Sequence, residues 1–213
     1  IAPRFTTLQT HYQRLIIDVG GYDNLHAVLD VYGQAQDRPD TGPRGRLGLD
    51  RAVRFEGVSF RYGDGAEGAA LTAASFEIPA KQITALIGSS GSGKTTVADL
   101  LLGLLEPTEG RIEIDGRILD ARQRRAWREG IAYVPQETYL TNDTVRANLR
   151  FAAPGATETD MWHALVLAQA SQLVKGLPDG LDTAVGEAGL RMSGGERQRI
   201  ALARALLRRP DLL

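Results

Sequence analysis

The residues GSSGSGKT, at positions 88–95, have the types and the spacing of a phosphate-binding loop, because they fit the pattern G-x-x-x-x-G-K-[ST] in full. The glycines allow successive backbone N–H groups to point inward and form a concave anion site. Lys94 would place a positive charge on the β- and γ-phosphates of a nucleotide, and Thr95 would offer its hydroxyl to Mg²⁺, while Thr96 can reach a phosphate. The predicted phosphate-binding residues are Gly88, Ser89, Ser90, Gly91, Ser92, Gly93, Lys94, Thr95 and Thr96.

A second candidate anion site lies near the end of the sequence, in MSGGERQR, residues 192–199. Ser193, Gly194, Gly195 and Glu196 stand at the start of a predicted helix over 194–208. Small residues with free backbone N–H groups at a helix N-terminus are suited to hold an anion. The sequence therefore carries two such sites, and a single nucleotide bound within one chain does not explain both.

The elements that must position these residues follow from hydrophobic periodicity. An apolar strand leads into the phosphate loop and a helix of 95–105 leads out of it, which is the context that such a loop requires. The predicted strands are 53–60, 70–78, 83–88, 111–116 and 131–135. Residues 144–177 are predicted to be mostly helical, with starts near Thr144 and Thr159. The arginines between 122 and 128 are interpreted as a solvated face.

The alternation of strands and helices predicts a layered α/β domain, which the helical stretch 144–177 interrupts as an insert. Before the domain, apolar positions at a helical period over 5–32 predict an amphipathic helix. The polar stretch after that helix, rich in proline and glycine and running from Gly33 to Gly48, is typical of a linker.

Composition excludes several classes of protein. The 213 residues include 25 Lys and Arg against 26 Asp and Glu, so the chain lacks the basic excess typical of a nucleic-acid surface. There is no cysteine, which excludes a disulfide framework and a thiolate metal site. No apolar run reaches the roughly 18 residues that span a bilayer. Since the sequence begins with Ile1 and stops in an apolar run at Leu213, we expect it to be a piece of a longer chain.

Several motifs together resemble those of the ATP-binding cassette (ABC) family. The stretch 192–199 is similar to the family's signature motif, with Met192 where the family usually has Leu. Gln136 follows the predicted strand 131–135 at the position of the family's Q-loop glutamine, and Tyr62 in FRYGDG matches the aromatic residue that stacks on adenine. TAVGEAG at 183–189 and DTVRANL at 143–149 resemble exporter-type members. The resemblance covers about residues 50–213.

This resemblance implies a P-loop NTPase-type layered sheet with an antiparallel β part and a helical insert, preceded by an N-terminal helix. Residues 1–33 would be the end of the last transmembrane helix and 34–50 a linker. Residues 51–213 would be the ATPase domain, incomplete at its C-terminus, with the helical insert at about 140–190.

The resemblance also implies ATP hydrolysis, with Mg²⁺, that drives export of a solute across a bacterial inner or plasma membrane. Lys94 and Gln136 would be catalytic, Thr95 and Gln136 would bind the metal, and Tyr62 would contact the adenine. Two ATPase domains on the cytoplasmic face would pair head to tail, so that the turn from Ser193 to Glu196 of one domain contacts the nucleotide held by the other. The further partner would be a membrane-spanning domain of the same chain rather than nucleic acid, and the solute is not identified by the sequence.

Family members continue beyond a stretch like RRPDLL, residues 208–213, with an Asp-Glu pair and later a histidine. We therefore expect residues 1–213 to hold the phosphate cradle without the general base, to be inactive alone, and to be unstable without the strand that follows.

Three other functions are weighed against the exporter. A soluble ABC-type ATPase acting on nucleic acid or ribosomes is disfavoured by the near-zero net charge, by the TAVGEAG motif and by the leading helix. A non-hydrolysing nucleotide-gated clamp stays open, because the expected base lies beyond Leu213. A nucleotide kinase would leave the turn at Ser193 without a role.

Overall fold

The computed structural model describes residues 45–63, 68–186 and 192–213, all within one compact unit, Gly42–Leu213. The predicted helix over 5–32 and most of the predicted linker lie outside the described residues. So does the end of the exporter-like motif, from Glu187 onward.

An antiparallel sheet covers the first part of the unit. Its strands are β1 (Ala52–Phe60), β2 (Leu71–Pro79), β3 (Glu109–Ile114) and β4 (Arg117–Ile118), in the order β2-β1-β3-β4. Alternation of buried and exposed residues in β1, where Val53, Phe55 and Val58 point inward, is what made this strand predictable. The predictions for 53–60, 70–78 and 111–116 are confirmed, within the usual uncertainty at strand ends.

Asp115 fixes one end of this sheet, where the turn after β3 meets the start of β1. It occupies the left-handed region (φ 51°) with Gly116 (φ 83°), which is the backbone of the predicted Asp-Gly turn between β3 and β4. Its carboxylate accepts hydrogen bonds of 2.8–2.9 Å from the backbone N–H groups of Asp50, Arg51 and Ala52. Partial burial would raise the pKa of Asp115, but these three donors outweigh it and the pKa is lowered.

The helices follow from local signals. They are α1 (Lys94–Leu101), α2 (Arg124–Glu129), α3 (Val145–Ala152), α4 (Glu158–Leu167), α5 (Ser171–Lys175) and α6 (Gly194–Leu207), with a 3₁₀ turn at Gly180–Asp182. Thr144 caps α3, as predicted, since its hydroxyl accepts from the N–H of Ala147. The start predicted near Thr159 is two residues late, because Thr157 is the cap of α4.

Two hydrophobic clusters hold the unit together. One packs the sheet against α1 and α2 around Phe55, Leu100 and Trp127, whose indole N–H donates to Leu101 O at 2.7 Å. The other lies among α3 to α6, around Leu165 and Ile200. The helical insert therefore has a core of its own, which α6 shares.

Two strand predictions are wrong for the described chain. Residues 83–88 form no strand, and Ile83 and Ile87 are 101% and 94% exposed. Of 131–135, only Ile131 is paired, in a single parallel bridge with Leu212. A strand requires a hydrogen-bonded neighbour, and no described residue lies alongside 83–88 in a ladder. Apolar character predicted burial for 83–88, and that prediction is wrong in the described structure because no neighbouring strand covers the segment.

Candidate functional site

The phosphate loop closes around the side chain of Lys94. Its ammonium donates to Gly88 O at 3.0 Å and to Ser89 O at 2.6 Å, and lies 3.4 Å from the hydroxyl of Ser92. Gly93, in the left-handed region (φ 84°), turns the chain directly into α1. The loop thus places a cation at the mouth of a helix N-terminus, where the helix dipole also favours an anion.

Each glycine of the loop has a structural reason, which is lack of space at Gly88 and Gly93 and backbone conformation at Gly91. A Cβ on Gly93 would lie 2.7 Å from the carbonyl oxygen of Ala70, and one on Gly88 would lie 2.5 Å from Ser92 Oγ. Gly91 (φ 77°) also requires the conformational freedom of glycine. A tight, glycine-lined cradle with a single ammonium fits a nucleotide triphosphate, and the exposed hydroxyl-bearing Thr95 is a suitable oxygen ligand for Mg²⁺.

Tyr62 lies beside the same loop. Its phenolic oxygen is 3.3 Å from the hydroxyl of Thr96, which is 5% exposed, and its ring packs edge-on against Phe60 with centroids 4.9 Å apart. The ring remains 57% exposed, so its free face can receive a base. The structure therefore brings Tyr62 to the start of α1. The direct contact of Thr96 with a phosphate stays a prediction.

The second anion site is a capped helix start. Ser193 N–H donates to Glu196 Oε2 at 2.7 Å, and Ser193 Oγ accepts from Glu196 N–H at 3.3 Å, which is a capping box. The hydrogen bonds from Ser193 lower the pKa of the Glu196 carboxyl. A Cβ on Gly195 would meet nothing within 4 Å. The N-terminus of α6 is consequently open toward solvent at its two glycines.

Gln136 contacts α6, the helix that begins at the second site, rather than the phosphate loop. Its side chain is exposed, and its backbone oxygen lies 3.4 Å from Nε2 of Gln198 on α6. In the described part of the chain, no hydrogen bond links Lys94 or its loop to Gln136 or to the Ser193 turn. The predicted residues thus form two separate groups: the loop with Tyr62, and the Ser193 turn with Gln136 nearby.

Sequence reasoning missed a groove next to Gln136. It is an open cavity of about 580 Å³ between α3, α6 and residues 132–141. Three of its lining side chains are exposed aromatics: Tyr133, Tyr139 and Phe151. Two arginines one turn apart on α6, Arg204 and Arg208, also line it, and burial lowers the pKa of Arg204. The only signal in the sequence was the presence of aromatic residues between the motifs.

A buried amide holds the far side of this groove. Asn148 is fully buried; its Nδ2 donates to the carbonyls of Thr141 and Thr144, and its Oδ1 accepts from the N–H and hydroxyl of Thr141. All of its hydrogen-bonding capacity is used locally, which fixes the chain at 141 against α3.

Among the described helices, none combines the length and the apolar character needed to cross a membrane.

Comparison with known proteins gives a consistent result. The family model described as "ABC transporter" matches residues 71–213. An ATP-dependent lipid A-core flippase of Cupriavidus pinatubonensis is 41% identical over 183 residues, covering 83% of this chain and 31% of the flippase. The ATP-binding cassette sub-family B member 6 of Rattus norvegicus is 36% identical over 204 residues, covering 96% of this chain and 24% of that protein.

A solved structure is also similar. The structure of a bacterial Atm1-family ABC exporter with ATP bound superposes with a TM-score of 0.76 at 34% identity, covering 90% of this chain and 33% of that chain. The chain thus spans between a quarter and a third of the length of the relatives it matches.

Proposed function

This chain belongs to the ABC transporter family, and from that premise we propose that it is the ATPase part of an exporter that uses ATP to move a solute across a membrane. The observation that carries the proposal is the separation of the two anion sites. The cradle at Lys94 and the open turn at Ser193 lie on different parts of the chain and share no hydrogen bond. Both anion sites have a role if two copies of the domain pair head to tail.

In such a pair, each nucleotide would be held by both chains. The Lys94 cradle of one copy would bind the triphosphate, with Tyr62 stacked on the base. The Ser193 turn of the other copy would donate backbone N–H groups and its hydroxyl to the γ-phosphate. Since ADP lacks that phosphate, only ATP would join the two chains, and hydrolysis would release them.

Turnover depends on positioning and on charge stabilisation. Thr95 and, in the assembled pair, Gln136 would hold Mg²⁺, which when bound supplies neutralisation of phosphate charge. Lys94 would hold the γ-phosphate as the bond to the bridging oxygen breaks. Gln136 would orient the attacking water through its amide, which does not take up the proton.

We propose that residues 1–213 bind nucleotide but do not turn it over alone. In the described structure, Lys94 contacts two carbonyls and a serine, and none of its hydrogen-bonding partners is a carboxylate. Asp211 precedes Leu212, which forms the parallel bridge with Ile131. Its carboxylate is already paired with Arg46, with 2.8 Å between Oδ2 and Nε. A general base is therefore expected outside these contacts, and the isolated piece should show binding without hydrolysis.

The aromatic groove supports the proposed membrane partner. Three exposed aromatic rings and two arginines, with no acidic side chain among the described residues that line the groove, form a surface suited to a short segment of another domain. The segment 132–141 lines the groove and also carries Gln136. A membrane-spanning domain of the same longer chain, seated there, would place this ATPase on the cytoplasmic face of the membrane.

The function is tested by measuring ATP hydrolysis by the full-length gene product in detergent and in vesicles. We expect magnesium-dependent hydrolysis, and Lys94→Ala should reduce it at least about a hundredfold, because it removes the main charge on the transferred phosphate. Lys81→Gln, an exposed lysine outside the loop, is the matched control and should keep full activity. ATP binding without hydrolysis by the wild-type protein would favour the nucleotide-gated clamp instead.

A further inference from the structure

Arg46 joins three distant parts of the chain. It lies in the segment 45–49 that precedes β1, yet its Nη2 donates to Arg209 O at 2.6 Å and to Gly130 O at 3.3 Å. Its Nε lies 2.8 Å from Asp211 Oδ2. Both side chains are about two-thirds buried, with 35% and 31% of their surface exposed. A guanidinium with its donors in a fixed fork can make these contacts together, which a lysine cannot.

The two stretches that Arg46 contacts also bind each other. Asp211 N–H donates to Gly130 O at 2.8 Å, and Ala132 N–H donates to Leu212 O at 2.9 Å. A Cβ on Gly130 would lie 2.9 Å from Asp211 Oδ2 and 3.2 Å from Arg46 Nε, so the group is closely packed around the glycine. We refer to Arg46, Gly130, Arg209 and Asp211 as the Arg46 clamp.

The segment that carries Arg46 is itself fixed. Leu47 N–H donates to Ala126 O at 3.0 Å, and Leu49 is 7% exposed within the cluster that packs the sheet. Asp50 N–H is held by Asp115 at 2.8 Å. Residues 46–50, which the sequence predicted to belong to the linker, are therefore part of the domain.

The clamp lies where the residues that precede Gln136 meet the residues that follow α6. Residues 130–132 lead directly to Gln136, and residues 209–212 follow α6, whose first residues are the Ser193 turn. A second contact joins the backbone oxygen of Gln136 to Gln198 of α6 itself. The segment 130–136 is thus bound at its start to the residues that follow α6 and at its end to α6, and Arg46 belongs to the first of these contacts.

We propose that Arg46 is a positioning residue, which sets the segment carrying Gln136 relative to α6 and the residues that follow it. The consequence for ATP turnover rests on the proposed function. Through the clamp, Arg46 would influence the placement of both the water-orienting amide and the Ser193 turn, without any contact between Arg46 and the nucleotide.

The clamp itself is tested by hydrogen exchange on the full-length gene product with Arg46→Gln. We expect exchange at the amides of Ala132, Asp211 and Leu212 to rise at least about fivefold, because the local opening that exposes them becomes easier. The matched control is Arg54→Gln, which removes an exposed ion pair with Glu77 at 2.9 Å elsewhere on the sheet. Faster exchange confined to residues 45–49, or the same pattern in the control, would overturn the proposal.

Kinetics separates positioning from a merely structural role. Arg46→Gln should lower kcat for ATP several-fold and leave the KM for ATP unchanged, and Arg46→Lys should fall between it and wild type. Asp211→Asn should have a similar effect, and the double variant should lose no more than the larger single one, since both belong to one unit. A lower Tm with unchanged kcat would make the clamp structural only. If wild-type protein does not hydrolyse ATP, the proposed function fails, whereas the exchange experiment still decides the clamp.

Discussion

Helices α4 and α6 begin with the same capping box, Thr157 with Asp160 in one and Ser193 with Glu196 in the other. At α4 the box is closed: Thr157 Oγ1 lies 2.6 Å from Asp160 Oδ2, and Arg209 pairs with Asp160 at 3.0 Å. At α6, two glycines stand between cap and carboxylate, where α4 has Glu158 and Thr159.

The difference shows how a structural motif differs from a binding site built on it. Each glycine in a helix costs about 1 kcal/mol relative to alanine, and nothing in the fold requires Gly195, since a Cβ there would meet open space. The bare backbone at the start of α6 is therefore best explained by a group that must approach it closely. The following predictions compare the two helix starts, from the largest expected effect to the smallest.

Gly195→Glu should abolish ATP-dependent pairing of the ATPase domains, at least about a hundredfold in affinity, because it places a negative side chain where the γ-phosphate would lie. The fold should survive, since the site is open. The matched substitution is Thr159→Glu, at the same position of α4, which should leave pairing unchanged. Sedimentation or light scattering, with ATP and without it, measures pairing of both variants. Equal effects would show that the start of α6 has no special role in pairing compared with the start of α4.

Gly195→Ala should change stability and function in opposite directions. The free energy of unfolding should rise by about 0.5–1 kcal/mol, because alanine favours the helix. ATP-dependent pairing should weaken roughly tenfold, since a methyl group separates the backbone N–H groups from the phosphate. Denaturant unfolding and the pairing assay test the two halves. A variant that gains stability and keeps full pairing would show that close backbone approach is not needed.

Ser193→Ala and Thr157→Ala should each lower the free energy of unfolding by about 1 kcal/mol, as expected for loss of an N-cap. Only Ser193→Ala should also weaken pairing, by several-fold, because its hydroxyl is expected to contact the γ-phosphate. Equal loss of pairing in both variants would mean that it reflects stability alone.

The smallest effect concerns pH. Because hydrogen bonds from Ser193 lower the pKa of Glu196 in the folded state, the charged carboxylate stabilises the fold above its ordinary pKa, and this contribution is lost as the pH falls through the lowered value. The Tm of wild type should therefore exceed that of Glu196→Gln at about pH 7, and the difference should shrink as the pH falls below about 4.3, the ordinary pKa of a glutamate. A constant difference across this range would contradict the charge effect.

Local signals predicted most of what is local. The phosphate loop, the antiparallel strands and the helices of the insert follow from glycine spacing, alternation and caps that act within a few residues. No helix was predicted at α2. The interpretation of the arginines between 122 and 128 as a solvated face holds for Arg122 and Arg125. It is wrong for Arg124, which is 14% exposed and pairs with Glu106. The burial of an arginine cannot be predicted from its charge alone when it depends on pairing with a carboxylate elsewhere in the chain.

Features that depend on distant residues were not predictable in this way. The segment 83–88 has the composition of a buried strand, yet Ile83 and Ile87 are exposed, since pairing requires a neighbour and not only a pattern. Arg46 belongs to a stretch that composition describes as linker, and its role depends on Gly130 and Asp211, far along the chain. The separation of Gln136 from Lys94 likewise required the three-dimensional structure.

The most direct test of the two-chain nucleotide site is complementation between two inactive variants. Lys94→Ala removes the cradle and Gly195→Glu blocks the turn, so neither variant alone can form a complete site. In a mixed head-to-tail pair, one site combines both defects and the other has neither. With equal co-expression of the full-length variants, ATP hydrolysis should return to about a quarter of wild type, because half of the pairs are mixed and each has one intact site. A mixture as inactive as either variant would show that Lys94 and the Ser193 turn act on a nucleotide within one chain.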